Sequence, residues 1–211
     1  MPCPDCEKNR HMFDIVVDEQ RYTPRLYHRV LDLGAWYGHF TFYCASRGAM
    51  VKAYEPMPDV FAEFAHDLSK HGWSEQVKAI NRAISHTGVK RSMFVPENSR
   101  SASFFRLGEI ILPDVETETL GAALGGHIWD CVKVDIEGAE YEVFTRATDW
   151  ELDRIRYLTM ELHNDVLSQE EHDELISRLN YFRNVDKVPE ERNGQPTGRI
   201  AKIFCWHDHG R

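Results

Sequence analysis

Two groups of residues in this chain have the types and spacing to do chemistry. The first is Asp32, Gly34 and Gly38, followed on the next apolar run by Glu55. The second is Asp135 and Glu137, with Glu161 and His163 further along. In the first group an acid precedes a glycine turn, and a second glycine opens an amphipathic segment. Such a turn leaves the backbone bare where a ligand can approach. Glu55 is placed to take the two hydroxyls of a ribose, so the group predicts a nucleoside cofactor. Its glycine spacing says which one. A dinucleotide needs G-x-G-x-x-G to seat a pyrophosphate on the helix N-terminus. Here the second of those positions holds Trp36, whose bulk blocks that seat. The pattern D-x-G-x-x-x-G suits a ligand with a cationic amino-acid end and no phosphate, as in S-adenosyl-L-methionine. Gly34 and Gly38 would then close on the methionine part, with Asp32 as its electrostatic partner. The competing reading is an ordinary strand–glycine–helix packing turn.

The second group suits work on a hydroxyl. Asp135 and Glu137 are two apart, as are Glu161 and His163, so at extended strand ends each pair points one way. On neighbouring strands they would form one polar site. One reading is general-base catalysis, in which a substrate hydroxyl loses its proton while attacking a methyl group. The other is a divalent metal that orients and acidifies that hydroxyl. Glu140, nearby, reads more simply as charge at a helix N-terminus.

The elements that must position these residues alternate. Strands are expected at Val30–Leu33, Val51–Glu55, Val77–Ile84, Cys131–Ile136 and Arg156–Leu162. Helices are expected at Tyr37–Arg47, at Asp59–His71 with an apolar stripe, and from the Asp135–Glu140 segment to about Ala147. A hairpin strand at Arg91–Val95 interrupts the alternation. The stretch from Pro96 to Pro113 reads as a loop with an aromatic tip at Phe104 and Phe105, either closing over substrate or filling an edge pocket. A short helix at Thr119–Leu124 stops at Gly125–Gly126. A capping box at Ser168–Glu171 starts another helix. Arg183–Val188 and Arg199–Trp206, with turn residues at Asn193–Gly194 between them, predict a final hairpin. The result is an α/β, doubly wound, Rossmann-like seven-stranded sheet, mostly parallel, with an antiparallel terminal strand. Ligands of such sheets sit beyond the strand C-termini, where Asp32, Glu55, Asp135, Glu137, Glu161 and His163 all fall.

Composition narrows the partners. The chain has 211 residues, 42% hydrophobic and 11% aromatic, enough for one folded domain. Its formal charge of −9 argues against a nucleic-acid backbone as partner. The polar start, Met1 to Asp14, lacks a signal-peptide core, and the most apolar window, Leu33 to Val51, carries His39 and Arg47. A soluble, cytoplasmic protein is the expectation, with a short segment at 1–29, the domain at 30–206 and a tail at 207–211. Cys44 and Cys131 read as buried thiols. Cys3 and Cys6 with Cys205, His207 and His209 offer a zinc set from both termini, against a frayed N-terminus.

Val30–Gly38, Ala53–Pro56, Ala83–Ser85 followed by Gly88, Val132–Glu140 and Glu161–His163 occur in the order found in the FkbM-type methyltransferases, which the chain resembles from about Val30 to Phe204. Lys133–Glu140 is the most specific piece. The resemblance implies S-adenosyl-L-methionine-dependent methyl transfer to oxygen, commonly a hydroxyl of a sugar or polyketide-like molecule. It implies cofactor contacts at Asp32, Gly34, Gly38 and Glu55, Ala83 near the adenine, and Asp135 beside the methyl donor. Trp36–Tyr37 departs from the family's usual Asn and small aliphatic. The segment before Val30 is shorter than in many such enzymes, so the resemblance leaves two expectations open, a missing lid or one supplied by a second subunit. Asp135 and His163, with Glu137, are expected to position and deprotonate the acceptor. The rival readings are a nicotinamide-dependent oxidoreductase and a non-catalytic cofactor-binding module.

Overall fold

The computed structural model describes residues 22–95, 102–105, 110–192 and 194–207. Cys3, Cys6, His209, Ser99–Ser101, Arg106 and Asn193 therefore lie outside the described residues. In chain order the first half contains β1 (Arg29–Leu33), α1 (His39–Ser46), β2 (Met50–Tyr54), α2 (Pro58–His71), β3 (Val77–Ile80), β4 (Ala83–Ile84) and β5 (Arg91–Val95). It continues with β6 (Ile110–Val115), β7 (Thr117–Glu118), α3 (Leu120–Leu124), β8 (Cys131–Val134), α4 (Glu140–Phe144) and α5 (Asp149–Leu152). The chain closes with β9 (Tyr157–Glu161), a 3-10 turn at Asn164–Val166, α6 (Gln169–Leu179), β10 (Asn184–Arg192) and β11 (Gln195–Trp206).

Seven strands form the main sheet, in the order β10-β11-β9-β8-β1-β2-β3. β3, β2, β1, β8 and β9 run parallel, and β11 is antiparallel to both β9 and β10. The antiparallel strand is the last in the chain but not the last in the sheet, because the terminal hairpin inserts it between β9 and β10. Strand order reverses beside β1, with β2 on one side and β8 on the other. That reversal opens a crevice at the strand C-termini.

The apolar alternation of the strands fills both faces of the sheet. Val30, Val51, Ala53 and Cys131 pack with Phe40, Tyr43 and Cys44 of α1 and Phe64 and Leu68 of α2. Leu31, Leu33, Val132 and Val134 pack on the opposite face with Val143, Phe144, Leu175 and Leu179. Burial of the stripe Val60, Phe64 and Leu68 holds α2, which Pro58 opens and left-handed Gly72 stops. The Ser168–Glu171 capping box is present.

Three expectations need correction. Val77–Ile84 is not one strand: it breaks after Ile80, and Ala83–Ile84 leaves the main sheet to pair with β7. The segment expected as a loop before Pro113 contains β6, paired with β5. Tertiary pairing overrides the proline there because the strand lies at the edge of a two-stranded sheet. The helix expected to reach Ala147 stops at Phe144, and a second capping box, Thr148 with Glu151, starts α5 separately. Cys205 falls in the expected final strand. It is fully buried in β11, with its thiol pushed up to about 12 by burial.

Candidate active site

The turn after β1 is built by close approach. Gly34 adopts φ 82°, and a Cβ there would overlap the carbonyl oxygen of Asp135 on the neighbouring strand's continuation. Gly38, also at φ 82°, lies against the ring of Phe64, which a side chain would overlap. Both glycines are thus required by packing before any ligand is considered. Trp36 sits between them at φ 51°, a left-handed conformation rare for a bulky residue. Its amide donates to Glu55 Oε2 at 2.8 Å, and its indole packs on Tyr37 and His39 with centroids 4.6 and 5.8 Å away. The other Glu55 oxygen accepts from the Met57 amide at 2.9 Å. Burial raises the Glu55 carboxyl to about 7, although these two amides favour its charged form.

Asp32 is fully buried, on the face of β1 that meets α1, and accepts the Thr41 hydroxyl at 2.7 Å. In the strand register it lies beside Lys133. The Lys133 ammonium donates to the Gly34 carbonyl at 2.6 Å and stands 3.6 Å from Asp32 and 3.3 Å from Asp135. Burial raises the Asp32 carboxyl despite Lys133, whereas Lys133 is raised, burial notwithstanding, by the two aspartates. Asp32 Oδ1 has no hydrogen-bond partner among the described residues. Ala83, expected near the adenine, lies in β4 with its side chain buried. Two residues before it, Asn81 donates to the Glu55 carbonyl at 2.8 Å.

Asp135, Glu137 and His163 of the second group come together without Glu161, and not through strand alternation. Strand alternation does not align Asp135 with Glu137, because β8 ends at Val134 and Glu137 turns into left-handed backbone at φ 55°. Val166 and Phe105 close on the next residue, Gly138, and the Ser103 hydroxyl donates to the Glu137 carbonyl at 2.6 Å. His163 likewise lies past the end of β9, at the start of the 3-10 turn. Its Nε2 stands 3.7 Å from Asp135 Oδ1 and 3.4 Å from Glu137 Oε2, while Nδ1 lies 3.0 Å from Glu140 Oε1. Burial opposes charge on this imidazole, but Glu140, Asp135 and Glu137 outweigh it and raise His163 to about 9. Burial also disfavours ionised Asp135, yet Lys133 and His163 bring its carboxyl below the usual range. Glu161, at the end of β9, is exposed. It lies outside the close group formed by Asp135, Glu137 and His163.

Glu140 is more than helix-terminus charge. It is fully buried, and the oxygen that meets His163 also accepts the Ile136 amide at 3.0 Å. Glu140, Lys133, Thr41, Asn81 and Ser103 are the site residues whose roles local sequence did not show. The alternation Lys133–Val134–Asp135 hinted at a lysine on the acid's side of the strand, but only the register sets it beside Asp32.

The sheet order and the polar group at its strand C-termini define a class I methyltransferase fold. The chain belongs to the FkbM methyltransferase family: the profile described as "Methyltransferase FkbM domain" matches residues 32–188. No curated protein matches the sequence. The chain is similar in fold to the precorrin-6y C5,15-methyltransferase of Geobacter metallireducens, with a TM-score of 0.54 at 11% identity over 94% of this chain and 88% of that one. It is also similar to a putative O-methyltransferase from Klebsiella pneumoniae, with a TM-score of 0.52 at 11% identity over 95% and 80% of the two chains. A third similar structure is a precorrin-8w decarboxylase from Methanobacterium thermoautotrophicum, with a TM-score of 0.51 at 14% identity over 97% and 92%. At these identities the likeness is one of fold. No helix among the described residues is long and apolar enough to cross a membrane.

Proposed function

We propose that the chain is an S-adenosyl-L-methionine-dependent O-methyltransferase acting on a hydroxyl of a sugar or polyketide-like small molecule. The carrying observation is Glu55, held at the end of β2 by amides on both sides of its carboxylate, one of them from the β1 turn. A carboxylate fixed in this way can still accept ribose hydroxyls through its remaining lone pairs. The donor set also fits the cofactor's charge. Asp32 and Asp135 flank the Lys133 ammonium and Glu55 lies within reach of its charge, an acid-rich cradle that suits a cationic amino acid and sulfonium and disfavours a pyrophosphate.

When bound, the cofactor supplies an electrophilic methyl group that passes to the acceptor oxygen and leaves a neutral thioether. Gly34 and Gly38, with Asp32 beneath them, would hold the methionine end, and Asn81, with Ala83 beneath it, would stand near the adenosine end. Asp135 or Glu137 accepts the hydrogen bond of the acceptor hydroxyl, and that carboxylate receives its proton. Both ring nitrogens of His163 face carboxylate oxygens. In the metal-free protein the imidazole is therefore a charge partner that positions the two acids rather than the base.

Calorimetry with S-adenosylhomocysteine, NADH and NADPH tests the cofactor. Binding of S-adenosylhomocysteine alone is expected; binding of only a nicotinamide nucleotide would sink the proposal. Transfer of a labelled methyl group to a panel of sugar and polyketide hydroxyls tests the reaction. A chain that binds cofactor yet labels none of them supports the non-catalytic module instead.

A further inference from the structure

We infer that Asp135, Glu137 and His163 form a divalent-cation site at the acceptor side of the crevice, with Glu140 as the residue that positions His163. The inference rests on the methyl-transfer reading for its use, since the ion would hold and acidify the acceptor hydroxyl, but not for its geometry.

Spacing comes first. One ligand atom from each of the three residues lies within 4.8 Å of the other two. The imidazole Nε2 is 3.4 Å from Glu137 and 3.7 Å from Asp135. Ligands about 2.1 Å from a six-coordinate ion are about 3 Å apart when adjacent and about 4 Å apart when opposite. A shift of about half an ångström to one ångström would therefore seat an ion.

The second observation is Glu140. A metal-binding histidine usually donates its other ring N–H to a carboxylate, which sets the tautomer and aims the free nitrogen at the ion. Glu140 makes that contact with Nδ1 at 3.0 Å, so Nε2 is the nitrogen left facing Asp135 and Glu137. A helix-terminus acid with only a charge role would lie in solvent; this one is fully buried and held by the Ile136 amide.

The third observation is the backbone under Glu137. Its left-handed φ of 55° is strained for a residue with a side chain, and the Ser103 hydroxyl pins its carbonyl. Two carboxylates with one imidazole favour an ion that takes both oxygen and nitrogen ligands, such as Mn2+. Three protein ligands leave coordination positions for an acceptor hydroxyl and water.

The test titrates the full chain with Mn2+, following free ion by electron paramagnetic resonance and heat by calorimetry. Wild-type protein is expected to bind one Mn2+ per chain. Glu137→Gln and His163→Gln should each bind it at least about tenfold more weakly. Glu140→Gln, which touches no ion, should weaken binding by about 10- to 100-fold and alter the Mn2+ spectrum. Melting curves identify any variant that fails to fold, and Glu137→Gln, on a partly exposed side chain, keeps the test open if His163→Gln does. Absence of Mn2+ uptake by the wild type, or wild-type affinity in both ligand variants, overturns the site. S-adenosylhomocysteine binding, measured on the same wild-type sample, reports separately on the methyl-transfer reading.

Discussion

The two sides of the crevice solve opposite problems. On the β1–β2 side the polar groups are engaged before a ligand arrives: Asp32 by Thr41 and Lys133, Glu55 by two amides, and both glycines by packing. On the β8–β9 side, three acids crowd one imidazole on irregular backbone past the strand ends, and Asp135 and Glu137 keep part of their surface open. The first is a preformed seat; the second is a charged edge shaped for something still to come. A rigid seat and a charge-loaded edge suit a reaction in which one partner is constant and the other must be activated.

Lys133 joins the two sides, so its removal breaks the comparison most severely. Lys133→Ala strands a fully buried Asp32 and should cost about 3–5 kcal/mol in urea unfolding. A loss under about 1 kcal/mol would mean that Asp32 is neutral in the fold. Asp135→Asn keeps the shape of the edge and removes its charge. Its kcat/KM should fall by about 10²–10³, and near-normal turnover would take Asp135 out of the reaction. Thr41→Val touches the seat alone: unfolding should be easier by about 1–3 kcal/mol, because a buried carboxylate oxygen loses its donor.

Acidity separates the two sides further. Glu55, raised to about 7 by burial, must be ionised to hold ribose hydroxyls well. The S-adenosylhomocysteine Kd should therefore rise about tenfold from about pH 8 to about pH 6. The unliganded fold should respond in the opposite sense. A carboxyl raised from 4.5 to about 7 binds its proton more tightly when folded, so its contribution to stability is lost as pH climbs through that interval. A flat Kd across the range would remove Glu55 from the ribose. The smallest effect is expected from Ser103→Ala, which frees the Glu137 carbonyl at about 1 kcal/mol and should lower kcat more than it changes cofactor affinity.

Legibility in the sequence follows the same division. Asp32, Gly34 and Gly38 lie within one strand and its turn, and Glu55 ends the next strand, so local pattern was enough to place them together. The acceptor edge was named residue by residue, but on the premise that extended strand ends align side chains two apart. The backbone there is not extended, and Glu137 arrives by a left-handed turn. Glu140 was assigned to helix charge because nothing near it in sequence discloses a histidine 23 residues away.

The sequence by itself determined the alternating α/β architecture, the glycine turn, the acid on the second strand and the family resemblance. Each is written in short-range periodicity, turn chemistry and motif order. Tertiary structure alone decided that Lys133 lies beside Asp32, that Cys205 is core, that β11 inserts beside β9, and that Glu140 aims His163 at two carboxylates. Those outcomes depend on strand register and on loops packed against one another. Such contacts join residues distant along the chain, and no local pattern records them.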